Sequence, residues 1–195
     1  MKEWQIKNLT LLETYNNGWD ESIAGNNDKG SVHSYIMIYE KLLDSYRMTA
    51  SKVLEIGVAQ GYSLRMWNEY FSLQCKVKGI DIAEAPLCDE SLDVTIGDSK
   101  DASLWTDWDE FDIIIDDGDH TFTGQMDTAE VWLPKIKDTG IYIIEDVSEM
   151  HPEQLTHMII KTNKTAWTVD LFDMRELKNR GDNIMIVITK DGVNL

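Results

Sequence analysis

Residues 111–120, F-D-I-I-I-D-D-G-D-H, decide how this chain folds. Three successive isoleucines belong to a strand buried on both faces, because a strand with one wet face alternates apolar and polar residues. Asp116, Asp117, Gly118, Asp119 and His120 follow without a gap. In an α/β sheet, an aliphatic strand running straight into such residues presents reactive groups at its carboxyl end. A second strand of this kind, I-Y-I-I at 141–144, runs into Glu145 and Asp146. Two acid-rich strand ends beside one histidine predict a site for a hard cation, with a base within reach.

Outward from this pair, strands are expected at 52–58, 75–82 and 92–96, with helices at 62–70, 102–108 and 121–133 between them. Alternation of this sort predicts a doubly wound, mostly parallel sheet with helices on both faces. After a helix at 152–162, strands at 166–172 and 184–188 have no apolar crossover helix between them. They are therefore expected as a final antiparallel hairpin, giving seven strands. Upstream, residues 9–15 read as a short helix and 26–31 as a polar loop, with Ser31 as a helix cap. Residues 32–48 read as a longer helix carrying His33 and Tyr35 in its first turn. The 195 residues are expected to form one domain, with 1–48 as an amino-terminal helical lid.

Thirty-five acidic against 18 basic residues give a formal charge of -17. That balance opposes a nucleic-acid partner, whose affinity is built from clustered lysine and arginine. No membrane-length apolar span and no signal-like run in residues 1–20 are present, so a cytoplasmic protein is expected, with no membrane partner. Cys75 and Cys88 are expected as thiols.

The turn after the first strand, E-I-G-V-A-Q-G at 55–61, places Gly57 where the backbone passes close to a ligand and Gly61 at a tight helix entry. It is not the G-x-G-x-x-G pattern of a pyrophosphate site. Asp81 ends the second strand, where an acid accepts from a ribose diol, and Asp98 ends the third, towards an adenine. In combination these predict adenosine binding; a nicotinamide cofactor stays open on the same residues. Asp117, Glu145 and Asp146 offer the oxygen donors that suit magnesium, calcium or manganese, and there is no zinc motif. Glu145 and Asp146 share one ion only where the strand has ended and the backbone has turned, since neighbouring strand residues face opposite ways. His120 titrates near neutrality and is placed to take a proton from a hydroxyl held by the ion.

The stretches N-D-K-G-S-V-H-S-Y (27–35), V-L-E-I-G-V-A-Q-G-Y-S-L-R-M-W (53–67), G-I-D-I (79–82), I-I-D-D-G-D-H (114–120) and I-Y-I-I-E-D (141–146) together resemble one family. It is the class I S-adenosylmethionine-dependent O-methyltransferases, and within it the metal-dependent sugar methyltransferases of the macrocin and mycinamicin type. The resemblance implies the Rossmann-like class I methyltransferase fold, with S-adenosylmethionine and magnesium as cofactors. It implies Asp117, Glu145 and Asp146 as magnesium ligands and His120 as general base. Glu55, Gly57, Gly61, Asp81 and Asp98 would surround the cofactor. Lys29 would join them from the segment that closes the site, with Gly30, His33 and Tyr35. Two departures stand out: the third residue of D-G-x-H is Asp119, and the macrolide enzymes' large amino-terminal domain has no counterpart here. The expected acceptor is therefore a small-molecule hydroxyl on a sugar or polyol, in a protein that a homo-oligomer would help to close. Two alternatives remain. One is a catechol-type O-methyltransferase with Trp4, Trp19, Tyr35 and Trp67 lining an aromatic pocket. The other is a non-catalytic adenosine-ligand binder.

Overall fold

The triple isoleucine lies at the centre of the molecule, as part of strand β4 (Phe111–Asp116), every residue of which is buried. The structure is a computed structural model, and it describes residues 10–17, 27–108, 110–148, 152, 156 and 167–190. The other strands are β1 (Lys52–Ile56), β2 (Lys76–Asp81), β3 (Val94–Ile96), β5 (Ile136–Ile144), β6 (Trp167–Asp173) and β7 (Ile184–Lys190). They form one seven-stranded sheet in the order β3-β2-β1-β4-β5-β7-β6. The first five pair in parallel, and β7 lies antiparallel to both β5 and β6. The mostly parallel sheet with an antiparallel hairpin at one edge is the arrangement expected from the sequence.

Alternation along the strands divides the core in two. Val53, Ile113, Ile115, Ile141 and Ile143 face one apolar cluster with Tyr39, Leu42 and Trp67. Leu54, Ile56, Ile114, Tyr142 and Ile144 face the other, with Trp105, Ala129 and Trp132. The first face is covered by α1 (Leu11–Asn17), α3 (Ile36–Leu43) and α4 (Tyr62–Tyr70), the second by α5 (Phe122–Trp132). Helix α5 starts on Thr121, whose hydroxyl accepts from the Gly124 amide, and gives way to a 3₁₀ turn carrying Pro134. No helix among the described residues is long and apolar enough to cross a membrane.

Several boundaries differ from the sequence reading, each for a local reason. Strand β5 begins at Ile136, five residues early, with a register shift against β4 between Phe111 and Ile113. The polar residues Asp138 and Thr139 are exposed in this irregular stretch, so no apolar run marks it as strand. Residues 28–31 form a single helical turn, α2 (Asp28–Ser31), capped by Asn27 rather than a loop ending on Ser31. Helix α3 is shorter than expected, and His33 and Tyr35 precede it. The stretch at 102–105 is a 3₁₀ turn. Of the expected helix at 152–162, all but residues 152 and 156 lie outside the described residues, as do Trp4 and Trp19.

Asp112 shows how the far end of β4 is held. Its Oδ2 accepts from the amides of Ser51 and Lys52, and Lys137 Nζ reaches both its oxygens at 2.8 and 2.9 Å. Burial pushes this carboxyl up, but the bonds from Lys137, Ser51 and Lys52 outweigh it and hold it below the usual carboxylate range. Its stabilisation is complete above the unfolded carboxylate value and is lost as pH falls through the lower folded one. Asp112→Ala is expected to cost about 2 kcal/mol in urea unfolding at neutral pH, because two backbone amides lose their acceptor. The deficit should shrink in acid.

Candidate active site

Strand parity gathers the acids. Glu55 pairs across from Ile115, and Ile115 from Ile143, all on the α3–α4 side of the sheet. Two residues beyond Ile115 and Ile143 come Asp117 and Glu145, so all three carboxylates point to one side. Lys29 meets them there from α2. Its Nζ lies 2.6 Å from Asp117 Oδ2, 2.8 Å from Glu145 Oε2 and 3.4 Å from Glu55 Oε1. Its side chain is 0% exposed. Tyr39 donates its hydroxyl to Glu145 Oε1, and Ser63 and Trp67 donate to Glu55. Burial raises the carboxyls of Glu55 and Glu145, opposed in each by the Lys29 charge.

Asp146 breaks the alternation. Strand β5 has ended at Ile144, and Asp146 takes a left-handed φ of 51°. The backbone has thus turned as a shared site requires, and Asp146 is swung towards β4. Its Oδ1 accepts from Tyr35 Oη at 2.6 Å and stands 3.3 Å from His33 Nδ1. His120 lies between the two strand ends, Nε2 3.3 Å from Asp117 Oδ1 and Nδ1 3.8 Å from Asp146 Oδ2. Asp117, His120 and Asp146 each offer a ligand atom, all within 4.8 Å of one another. The two carboxylate oxygens suit a hard, magnesium-like ion, and the imidazole nitrogen stands beside them. Glu145, expected as a third ligand, adjoins this group with its oxygens engaged by Lys29 and Tyr39. Without an ion, the Asp117 carboxylate lifts His120 to about 9 against partial burial, with Asp146 adding to the lift.

The sheet's strand order reverses between β1 and β4, and a crevice opens there. A cavity of about 460 Å³ runs along it, lined by Gly57, Ala59, Asp81, Asp98, Lys100, Asp117, Gly118, Asp119 and His120 among others. Gly57 has φ 85°, and a Cβ on it would sit 2.0 Å from the Asp117 carbonyl oxygen. Only glycine lets β1 and β4 end this close. Gly57→Ala is expected to destabilise the protein by about 3 kcal/mol through strain and collision, read from chemical denaturation. Gly61, φ 81°, caps α4 from the left-handed region, and a Cβ there would meet Leu92. Asp81 is committed on one side: Oδ2 accepts from the amides of Val58 and Ala59, and Oδ1 from Ala83. Asp98 Oδ1 accepts from the Lys100 amide. Asp119 faces the same cavity, paired with Lys100 at 3.0 Å. The Thr121 hydroxyl, Lys100 and the Thr121 amide hold its carboxyl down at about 2.

Of the residues expected around the cofactor, Gly57, Asp81 and Asp98 line this cavity, and Gly61 lies behind it at the head of α4. Glu55 and Lys29 do not line it. Both are wholly buried beneath its floor, bound to each other and to the acids. Tyr35 and Trp67, expected along an aromatic pocket, are also buried, each hydrogen-bonded to an acid. Sequence reasoning missed Tyr39 and the partnership of Lys29 with Glu55. Counting parity back from Asp117 and Glu145 would have put Glu55 on their side of the sheet.

On the other side of His120 a second cavity, about 480 Å³, is lined by His120, Asp146, Ser148, Arg180, Gly181 and Asp182. Arg180 and Asp182 form a two-point ion pair, Nε to Oδ1 at 3.0 Å and Nη2 to Oδ2 at 2.8 Å. The two cavities meet only at His120 among their described linings. The imidazole stands on the wall between them. A roomier groove of about 650 Å³ along residues 173–181 shares Arg180 and Gly181 with the second cavity and has no histidine in its lining.

Residues 54–147 match a family model described as a methyltransferase domain. Over 132 residues the chain is 33% identical to the 8-demethyl-8-alpha-L-rhamnosyl tetracenomycin-C 2'-O-methyltransferase of Streptomyces olivaceus, covering 62% of this chain and 35% of that protein. It is 33% identical over 130 residues to the mycinamicin VI 2''-O-methyltransferase of Micromonospora griseorubida, covering 60% of this chain and 32% of that one. The chain thus spans about a third of the length of the curated relatives it matches. Among solved structures it superposes on the MycE methyltransferase of mycinamycin biosynthesis, in complex with Mg, SAH and mycinamycin VI. There the TM-score is 0.69 at 21% identity, over 96% of this chain and 57% of that one. At that identity the likeness speaks for the fold.

Proposed function

We infer that the chain is a class I S-adenosylmethionine-dependent methyltransferase related to the sugar O-methyltransferases, and that it methylates a hydroxyl of a sugar or another vicinal-diol small molecule with the help of magnesium. The observation that carries this reading is the meeting of Asp117, Asp146 and His120 on the wall between two cavities. One cavity has the size and the acid-and-glycine lining for the adenosine cofactor, and the other takes the acceptor.

Asp117, Asp146 and Glu145 would hold the ion, Glu145 with an oxygen given up by Lys29 or Tyr39. A bound ion would supply Lewis acidity that lowers the pKa of a substrate hydroxyl, and the cofactor would supply a sulfonium methyl group. His120 accepts the hydroxyl proton as the C–S bond breaks and the new C–O bond forms. It does so as a neutral imidazole, so the charge on Asp117 that keeps it protonated must first be offset. Gly57 and Gly118 let the cofactor approach the ends of β1 and β4 closely. Asp81 shapes the turn that carries Ala59. The buried acids and their partners exclude water from the floor of the site.

A sugar or polyol fits the acceptor side better than a catechol. Its described lining is all hydrogen-bonding groups and backbone, with no phenylalanine, tyrosine or tryptophan. Net charge of -17 stands against a nucleic-acid partner. We keep the whole chain as one domain whose amino-terminal segment covers the site, and a second copy of the chain as the means of closing its open side. The test is transfer of labelled methyl from S-adenosylmethionine to panels of sugars, polyols and catechols, with and without magnesium. Magnesium-dependent labelling of a sugar or polyol is expected. Labelling of catechols alone would favour the aromatic reading, and cofactor binding with no transfer to any panel member would favour a binding protein.

A further inference from the structure

Lys29, expected beside the cofactor, does not line the cofactor's cavity and is left without that task. It is wholly buried between Glu55, Asp117 and Glu145, with Asp146 next to the last two. It reaches two of the three residues expected to ligate the ion, Asp117 and Glu145, at 2.6 and 2.8 Å. It does not rise from the sheet. It comes from α2, which is held in place from both ends: the Asn27 side chain accepts from the Lys29 amide, and Lys178 Nζ donates to the carbonyls of Gly30 and Ser31. The protein has thus built a separate support that delivers one positive charge between strand ends β4 and β5.

We propose that Lys29 is a resident counter-ion that keeps Asp117 and Glu145 converged while no divalent ion is bound, and that it competes with that ion for the same two carboxylates. Four clustered acids with no cation would repel one another and spread the strand ends. A lysine tethered to them keeps the site assembled for an arriving ion. The same contact lowers affinity, because each lone pair turned to Nζ must be shared or released. Asp117 keeps Oδ1 on the His120 side while Oδ2 faces Lys29, so the ion and the ammonium can occupy opposite edges of one carboxylate. Glu55, which binds Lys29 from the side away from the cavity, draws the ammonium down and limits the competition. Lys29 is on this account a positioning residue. The inference rests on the magnesium reading above.

The experiment measures calorimetric affinity for magnesium and manganese, and thermal unfolding with chelator or with saturating magnesium, in full-length wild type, Lys29→Met and Glu55→Gln. Lys29→Met is expected to unfold well below wild type in chelator and to regain most of the loss with magnesium. Its divalent affinity should rise by about tenfold, the scale of coupling between linked ligands. Glu55→Gln, which leaves Lys29 more strongly on Asp117 and Glu145, should bind the ion several-fold more weakly; this arm decides the matter if Lys29→Met does not fold. A loss of stability in Lys29→Met that magnesium does not restore, or unchanged affinity in both variants, overturns the inference while leaving the metal site standing. Wild-type protein that binds no divalent ion overturns the functional reading, and this inference with it.

Discussion

His120→Ala is expected to lower turnover by about 10²- to 10⁴-fold, the usual worth of a positioned general base. Affinity for S-adenosylhomocysteine should stay within about twofold, since on the proposed reading the turn at Gly57 and the ends of β2 and β3 would bind the adenosine, and only one wall of that cavity is imidazole. The imidazole is 45% exposed, so its loss leaves no cavity in the core, and the stability given up is that of its charged contact with Asp117, which is lost in the wild type too as pH rises through the raised imidazole value. The pH profile separates a base from a bystander. Wild-type turnover should rise as the imidazole loses its proton, and that limb should be missing in the variant. Equal turnover in the two proteins, or a preserved limb, would remove His120 from the chemistry.

Asp117→Asn has the second large effect. The amide keeps the shape of the side chain but gives up the charge that both an ion and Lys29 require. Divalent affinity is expected to fall by at least about 100-fold, more than changes to groups around a ligand typically cause, and magnesium-dependent transfer should vanish. Because Lys29 Nζ would lose its shortest contact, the variant should also unfold earlier, with a loss of about 3 kcal/mol. Circular dichroism and cofactor binding would establish that it folds. Wild-type magnesium affinity in a folded Asp117→Asn variant would exclude this carboxylate as a ligand.

Much of this architecture was legible because strands and helices announce themselves by different periods. I-I-I at 113–115 and I-Y-I-I at 141–144 have no other stable home than a buried parallel sheet, and the missing crossover helix between 172 and 184 marked the antiparallel pair. Where local sequence and tertiary need diverged, the reading slipped. Ile136 pairs with Phe111 and pairing with β4 resumes at Ile141, while Asp138 and Thr139 between them stay exposed and carry no strand-like alternation. The strand-end acids were legible as a group, since each follows an aliphatic run. What each one touches was not. Lys29 sits in a polar stretch that looks like surface, and only the folded chain brings it 88 residues along the sequence to Asp117. Tyr35 and Tyr39 carry the periodicity of an ordinary core helix, and nothing in that pattern reveals hydroxyls aimed at Asp146 and Glu145.

The nesting of β7 between β5 and β6 bears on how the polypeptide matures. A nascent chain that has emerged as far as residue 173 has made β6, but β6 pairs only with β7, which is not yet synthesised. Until translation passes residue 190, β5 presents a bare aliphatic edge, and the acid-bearing turn after it lacks the β7 carbonyl of Ile184 that accepts from the Val147 amide. On the ribosome the half of the sheet built from β1 to β4 can therefore consolidate first, whereas the catalytic edge sets last. Such an edge is where a chaperone would bind, and where a stalled or prematurely terminated product would aggregate.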